Sequence, residues 1–288
     1  MYNLNEILKE KKLSEMMKQY IECKLKYVDC IVLFRVGDFY ELFYNDAVEI
    51  SNKFEITLTS KACGLEEKAP MCGIPFHALD LYTPKFLKEG YKIAIVEQLT
   101  NPKDQKGLVK RDVIKIITPG TIVDEISNNT SNYLMSIYEN ENEASISYID
   151  INQGDIYTTN IDRKFIKEEI SKIKPTEIIF NRLESKKEFI EIINDLFIFT
   201  NEEFDENYYE ESIILNYFDK SFIDNLNFDK NMIKSISILL NYIFYTQKRT
   251  NIANMNNIFI YDTKKYMAID CFTRNSLELT KRLGSSEK

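Results

Sequence analysis

The chain has 288 residues, 44% of them apolar and 28% charged, with a formal net charge of −8 at pH 7. That length suggests two domains with a piece of a third, and the apolar share suffices for real cores. No apolar run approaches the roughly 18–20 residues of a membrane span, the charged start MYNLNEILKEKKLSEMMKQY does not read as a signal peptide, and the net acidity argues mildly against a nucleic-acid partner.

In chain order, Ser14 is placed to cap a helix running to about Tyr27, with Met17, Tyr20, Ile21 and Lys24 on or near one face. The apolar run CIVLFRV (30–36) reads as a buried strand. A helical pattern follows from about Tyr40 to Lys53, then a strand, EITLTS (55–60), and a Gly/Pro-punctuated loop over 61–77. A helix from about Ala78 to Glu89 ends at Gly90, a good residue just past a helix C-terminus. KIAIVEQL (92–99) and VIKIITP (113–119) read as strands. Helices and strands alternate, which predicts a mixed α/β (α+β) first domain over 1–125.

The polar, turn-rich stretch 126–132 reads as a linker. Three consecutive strands follow (YLMSIYEN, ASISYID, GDIYTTN), joined by turns at Asn140–Asn142 and Asn152–Gly154. A helix at 163–173 stops before Pro175. A strand at 177–181, a helix at 185–194, a strand at 196–200 and helices at 208–219 and 230–246 come next. Three antiparallel strands followed by alternating helices and strands match a ribonuclease-H-like layout for 133–260. A last unit opens at 261 and does not close by 288.

Charge is unevenly spread. Residues 1–125 hold 18 Lys and Arg against 19 Asp and Glu, and the remainder 19 against 26. A local basic stretch, KDQKGLVKRDVIK (103–115), carries five positive residues against two acids, either a phosphate-attracting patch or a solvated face. The five cysteines (23, 30, 63, 72, 271) are scattered and odd in number, as expected of reduced thiols. Cys63, Cys72 and His77 fit no standard zinc spacing and lack a fourth ligand.

The stretch GDFYELF (37–43) sets an aromatic and a carboxylate, Phe39 and Glu41, two residues apart just past a strand end. In one reading a helix starts here, burying its aromatics and using Glu41 against the helix dipole. In the other, Phe39 and Glu41 face a partner together. That second reading needs a locally extended backbone, since side chains at i and i+2 of a helix diverge by about 200°. It places the pair at the strand-to-helix turn.

Several blocks read together resemble the MutS family of DNA mismatch-repair proteins: SEMMKQY (14–20), LFRVGDFYELFYNDA (33–47), ITLTSKACGLEEKAPMCGIPFHA (56–78), GYKIAIVEQL (90–99) and KGLVKRDVIKIITPGT (106–121). MAIDCFTRNSLELT (267–280) resembles the start of that family's lever domain, while 126–260 is similar mainly in element order. The resemblance implies a mismatch-recognition domain (1–125), a ribonuclease-H-like connector (133–260) and the start of the lever (261–288). It implies mismatched double-stranded DNA as the partner, MutL docking through the connector, a homodimer in the full-length protein, a cytoplasmic, nucleoid-associated location and no membrane. No GxxxxGK[ST] occurs, so ATP and Mg²⁺ are expected in a downstream domain, and the chain reads as a non-enzymatic amino-terminal portion with no cofactor of its own.

The resemblance implies that Phe39 enters the minor groove as a wedge and Glu41 accepts a hydrogen bond from the same base. It further implies DNA contacts by Val36, Lys61, Met71 and Arg111, with a structural or solvated role as the alternative for the last three. Phe76 stands where many members carry Tyr, His77 reads as a brace, and Val96 replaces a common Cys. The alternative function is a MutS-type paralogue module that binds DNA junctions or acts only in protein interaction. Asp150 and Asp155 raise a two-metal nuclease reading, but further acids at convincing positions are missing.

Overall fold

The computed structural model describes residues 1–99, 109–122, 131–141, 143–202, 209–248 and 255–263. The chain divides into two compact units, built mainly on Met1–Pro119 and Gly120–Tyr245, and each carries one six-stranded mixed sheet. The segment expected as a linker (126–132) lies outside the described residues but for 131 and 132. So do 103–108 of the basic stretch and the expected lever start beyond 263.

In the first unit, α1 (Leu4–Ile7) precedes α2 (Glu15–Lys26), whose first turn is capped by Ser14 accepting the Met17 N–H. Then come β1 (Cys30–Val36), β2 (Phe39–Phe43), α3 (Tyr44–Phe54), β3 (Thr59–Lys61), β4 (Ala69–Pro75), α4 (Leu79–Lys88), β5 (Lys92–Gln98) and β6 (Arg111–Ile117). The sheet order is β3-β4-β2-β1-β5-β6, with β1 and β5 parallel and the other pairs antiparallel.

Strand periodicity sorts the residues onto two faces. Val32, Phe34, Phe43, Ala94, Val96 and Val113 point to the side on which Met17, Tyr20 and Ile21 of α2 are buried. Ile31, Leu33, Leu42, Ile74, Ile93 and Ile95 are buried on the other side, where α3 meets β2 and β4 and α4 meets β5.

Three local expectations change. The helix expected from Tyr40 begins only at Tyr44, because 39–43 is held extended between β1 and β4. Pairing on both sides overrides the helical period, and the chain switches from strand to helix at Tyr44 with φ 52°. The strand expected over 55–60 shortens to Thr59–Lys61, since Glu55 takes a left-handed conformation at the end of α3. The loop expected over 61–77 contains β4, with Pro70 and Pro75 near its two ends.

In the second unit, β7 (Tyr133–Glu139), β8 (Glu143–Asp150) and β9 (Asp155–Asp162) form an antiparallel meander. After α5 (Ile166–Ile173), β10 (Glu177–Phe180) adds parallel to β7. After α6 (Leu183–Glu188) and α7 (Ile190–Asp195), β11 (Phe199–Glu202) adds parallel to β10. Then α8 (Glu211–Ile214), α9 (Lys220–Asn225) and α10 (Lys230–Gln247) lead to β12 (Asn257–Ile260), parallel to β9. The order β11-β10-β7-β8-β9-β12 agrees with the expected ribonuclease-H-like layout, with one added edge strand. The helix expected over 208–219 is a single turn, and the one over 185–194 is two short helices.

One face of this sheet packs Ile236, Leu239, Leu240 and Ile243 of α10, and the other packs Ile166 and Ile170 of α5 with Ile193 of α7. Among these aliphatic side chains a seam of small hydroxyls runs under α10. Ser235 bonds Ser145 at 3.0 Å and Ser147 at 2.6 Å, and its carbonyl accepts from Ser136. Asp150 is engaged in turn formation, accepting the N–H groups of Asn132 and Asn152, and Asp155 accepts from Asn257.

Burial pushes the Cys30 and Cys72 thiols up to about 12, with the charges of Asp29 and Asp46 as the second causes. Thiols react as thiolates, so both should resist maleimide at pH 8 in the folded protein and label on unfolding in urea. Mass spectrometry of the labelled peptides checks this; rapid native labelling of either would show that the first sheet opens.

Candidate nucleic-acid interface on the first sheet

The hairpin β1–β2 turns through two residues, Gly37 and Asp38, and its outermost rung pairs Val36 with Phe39. Gly37 has φ 58° at the first turn position, where two-residue hairpins favour glycine. A Cβ there would meet no atom within 4 Å, so backbone conformation alone explains the residue. Phe39, Glu41 and Phe43 alternate with Tyr40 and Leu42 and share one side of the strand. The extended backbone that the Phe39–Glu41 spacing requires is therefore supplied by a strand, not by the start of a helix. Along that side burial rises steeply: Phe39 is 48% exposed, Glu41 9% and Phe43 fully buried.

Cross-strand partners place the other candidates on the same face. Val36 and Pro75 flank Phe39; Phe34 and Gly73 flank Glu41; Met71 lies beside Phe43. Thr59 pairs with Met71, which puts Lys61, two residues on, on that face too. Phe34 pairs with Val96, and Gln98, two further along β5, pairs with Arg111. All six residues expected to contact DNA thus share one sheet face. The α2 side chains cover one end of it, while Phe39 stands clear at the other.

The electrostatics there are local and paired. The Lys61 ammonium passes 6.0 Å from the Phe43 ring and donates to both Glu41 oxygens, at 2.6 and 2.8 Å. Gly73, opposite Glu41, leaves the side-chain position empty, and a Cβ there would lie 3.0 Å from the Tyr40 carbonyl oxygen. Arg111 lies with its guanidinium 5.2 Å from the Phe34 ring centroid and donates to the carbonyls of Arg35 (2.8 Å) and Val109 (3.1 Å). Its own N–H is taken by Gln19 of α2 at 3.1 Å. Burial lowers the Arg111 pKa, and the Glu41 charge opposes that shift. Val36 and Met71 are partly buried against the α2-side core, so each offers only an apolar edge.

This constellation holds no nucleophile beside a base. It presents an exposed aromatic face, a carboxylate set back and neutralised by an ammonium, and a second cation within the same sheet face. Such a surface suits stacking and anion contact. Sequence reasoning missed a second group behind the hairpin, Tyr40, Phe76 and Glu97, which gathers around the Arg35 guanidinium. Its signal was the opposite strand parity of Arg35 and Tyr40.

The chain matches the family model of MutS domain I over residues 14–126 and that of MutS domain II over residues 132–258. It is 47% identical over 285 residues to the DNA mismatch repair protein MutS of Clostridioides difficile, a match covering 96% of this chain and 30% of that protein. Identity is 43% over 287 residues to the DNA mismatch repair protein MutS of Acetivibrio thermocellus, covering 96% and 33%. With the protein of that name from Clostridium beijerinckii it is 40% over 285 residues, covering 96% and 30%. The chain therefore spans about a third of the length of these relatives.

The Glu41–Lys61 pair is partly shielded from water, with side-chain exposures of 11% and 30%. Lys61→Met should destabilise the first unit by about 1–2 kcal/mol by leaving the carboxylate without its cation. Adding Glu41→Gln should restore part of that loss, with a coupling of about 1 kcal/mol in a double-mutant cycle. Urea unfolding of the four proteins measures it, and additive effects would show that the pair contributes nothing.

Proposed function

The chain belongs to the MutS family, whose domain I and domain II it carries in order, and from that premise we propose that it senses mismatched base pairs in DNA mismatch repair, with Phe39 as the probe. A mismatch offers no fixed donor and acceptor pattern, so ordinary groove readout fails. It does offer weaker stacking and easier bending, which an apolar wedge entering the minor groove detects as a lower cost of kinking. The observation that carries this reading is Phe39 on the outermost rung of a two-residue hairpin, 48% exposed, with an ion-paired carboxylate two residues on along the same face.

In this reading Phe39 stacks on one base of the mismatch, a contact on the order of 1–3 kcal/mol. Lys61 has two roles. In the free protein it holds Glu41; against DNA its ammonium turns to a phosphate, and the released carboxylate takes a base N–H. Arg111 stays engaged with backbone carbonyls and supplies a fixed positive charge, while Val36 and Met71 line the groove beside the wedge.

The sequence has no GxxxxGK[ST], the phosphate-cradling loop that the family's ATP chemistry calls for. We assign nucleotide hydrolysis to a part of the longer protein outside this chain. MutL docking on the second unit, homodimerisation of the longer protein and a cytoplasmic, nucleoid-associated location belong to the same proposal. No described helix is long and apolar enough to cross a membrane.

In the full-length protein, Phe39→Ala should reduce the preference for a G·T duplex over a matched duplex to near one, while Phe39→Tyr keeps most of it. Lys61→Met should weaken binding to both duplexes and lower the salt slope by about one. Competition titrations at several salt concentrations read all three. Undiminished G·T preference in Phe39→Ala would refute the wedge and favour junction binding or a purely protein-binding role.

A further inference from the structure

A wedge works only if the part that carries it is stiffer than the base stack it enters. The tip of a two-residue hairpin is ordinarily among the softer parts of a sheet, since the ladder ends there. If the tip yields, Phe39 retreats and the duplex stays straight, whether or not a mismatch is present.

Behind this tip stands the Arg35 group, on the face opposite the six residues proposed to contact DNA. Arg35 precedes Val36 and pairs with Tyr40, so its side chain lies on the face opposite Phe39. Its Nε donates to the carbonyl oxygen of Gly37 at 2.6 Å, and its guanidinium sits 3.9 Å from the Phe76 ring centroid and 5.4 Å from that of Tyr40. Glu97, on β5, lies 4.0 Å from the same guanidinium and accepts the Tyr40 hydroxyl hydrogen. The backbone N–H of Phe76 donates to the carbonyl oxygen of Asp38 at 2.9 Å. The carbonyls of both turn residues are thus tied down, one by Arg35 and one by the Phe76 backbone.

The tie reaches beyond the hairpin. Phe76 follows β4, and Glu97 belongs to β5 on the other side of β1. The group therefore fastens the tip to strands on both flanks. Its outer side is at the surface, with Phe76 42% exposed, while Tyr40 is buried beneath it. Burial, and then the hydrogen bond to Glu97, push the Tyr40 phenol above its ordinary value.

We propose that Arg35, clamped between Phe76, Tyr40 and Glu97, is a positioning residue that stiffens the Gly37–Asp38 turn and so sets how sharply Phe39 discriminates mismatched from matched DNA. This rests on the wedge reading of Phe39. Arg35 acts through the turn and need not touch DNA. Lysine cannot replace it, because the contact needs a planar fork that stacks on Phe76 and donates to Gly37 at once.

The test uses Arg35→Met and Phe76→Leu in the full-length protein, with Phe76→Tyr as the conservative variant that keeps the ring. Amide hydrogen exchange of the free protein should quicken about tenfold or more over 37–39 in the first two, with β5 unchanged. Their G·T preference should fall about fivefold or more, with matched-duplex affinity held within about twofold, because only the placement of the wedge is lost. Phe76→Tyr should keep both properties. On a Phe39→Ala background Arg35→Met should cost no further preference.

Faster exchange with full preference would overturn the proposal, as would unchanged exchange. An equal loss on matched and mismatched DNA would instead make Arg35 a plain phosphate contact. If Phe39→Ala alone leaves the preference intact, the wedge reading fails and the proposal falls with it. If only the Arg35 and Phe76 variants behave normally, the wedge stands without its brace.

Discussion

One rung of the first sheet is missing, and the architecture of the interface follows from what replaces it. The β1–β2 ladder pairs Val36 with Phe39 and Phe34 with Glu41, and the next rung of that kind would join Val32 to Phe43. Instead the Val32 N–H goes to the buried carboxylate of Asp46 at 3.1 Å. The Phe43 N–H goes to the Tyr20 hydroxyl, which donates back to the Phe43 carbonyl. Lys24 neutralises Asp46 at 2.9 Å. Burial raises the Asp46 pKa while Lys24 pulls against it. Buried backbone groups without partners cost about as much as a lost hydrogen bond each, so this exchange lets the strands part without that penalty. Tyr20 and Lys24 both belong to α2, which is thereby pinned over one end of the sheet and leaves the hairpin tip bare.

The bare end then combines features that would be unstable singly. An exposed phenylalanine is tolerable as an isolated apolar residue. A carboxylate at a DNA surface is harder to accommodate: at about 6 Å from a phosphate, with an effective dielectric near 20, repulsion is on the order of 3 kcal/mol. Lys61 removes most of that penalty while both its contacts to Glu41 hold. In the proposed role, DNA first meets a neutral site, and the acid becomes available only when a phosphate competes for the ammonium. Discrimination then depends on the order of two local events, groove entry and ion-pair exchange, and needs no reading of a base code.

Much of this was legible in the amino-acid order. Ser14 and the spacing of Met17, Tyr20 and Ile21 mark α2, and CIVLFRV marks a central strand. The spacing of Phe39 and Glu41 demands extended backbone if the two are to act together. What stayed hidden was non-local. FYELFYNDAVEI carries a helical period across a strand–helix junction, and the switch falls on Tyr44, where no glycine or proline announces it. APMCGIP looks like a loop because Pro70, Gly73 and Pro75 interrupt it. Yet Gly73 is there because the Tyr40 carbonyl and Glu41 crowd its α-carbon, a fact written two strands away. The Lys61–Glu41 pair and the Arg35 cluster likewise join residues 20 and 62 positions apart, beyond any local pattern.

The Gly37–Asp38 turn has a consequence of another kind. Side chains on a strand alternate between faces, so the number of residues in this turn also decides which way every later residue of β2 points. One added or deleted residue that was not absorbed as a bulge would send Phe39 and Glu41 toward α3 and α4 and bring Tyr40 and Leu42 to the open side. The turn length is therefore a parity constraint. Insertions and deletions in this turn should appear in twos or not at all, a constraint on its length that stands beside the glycine its first position requires.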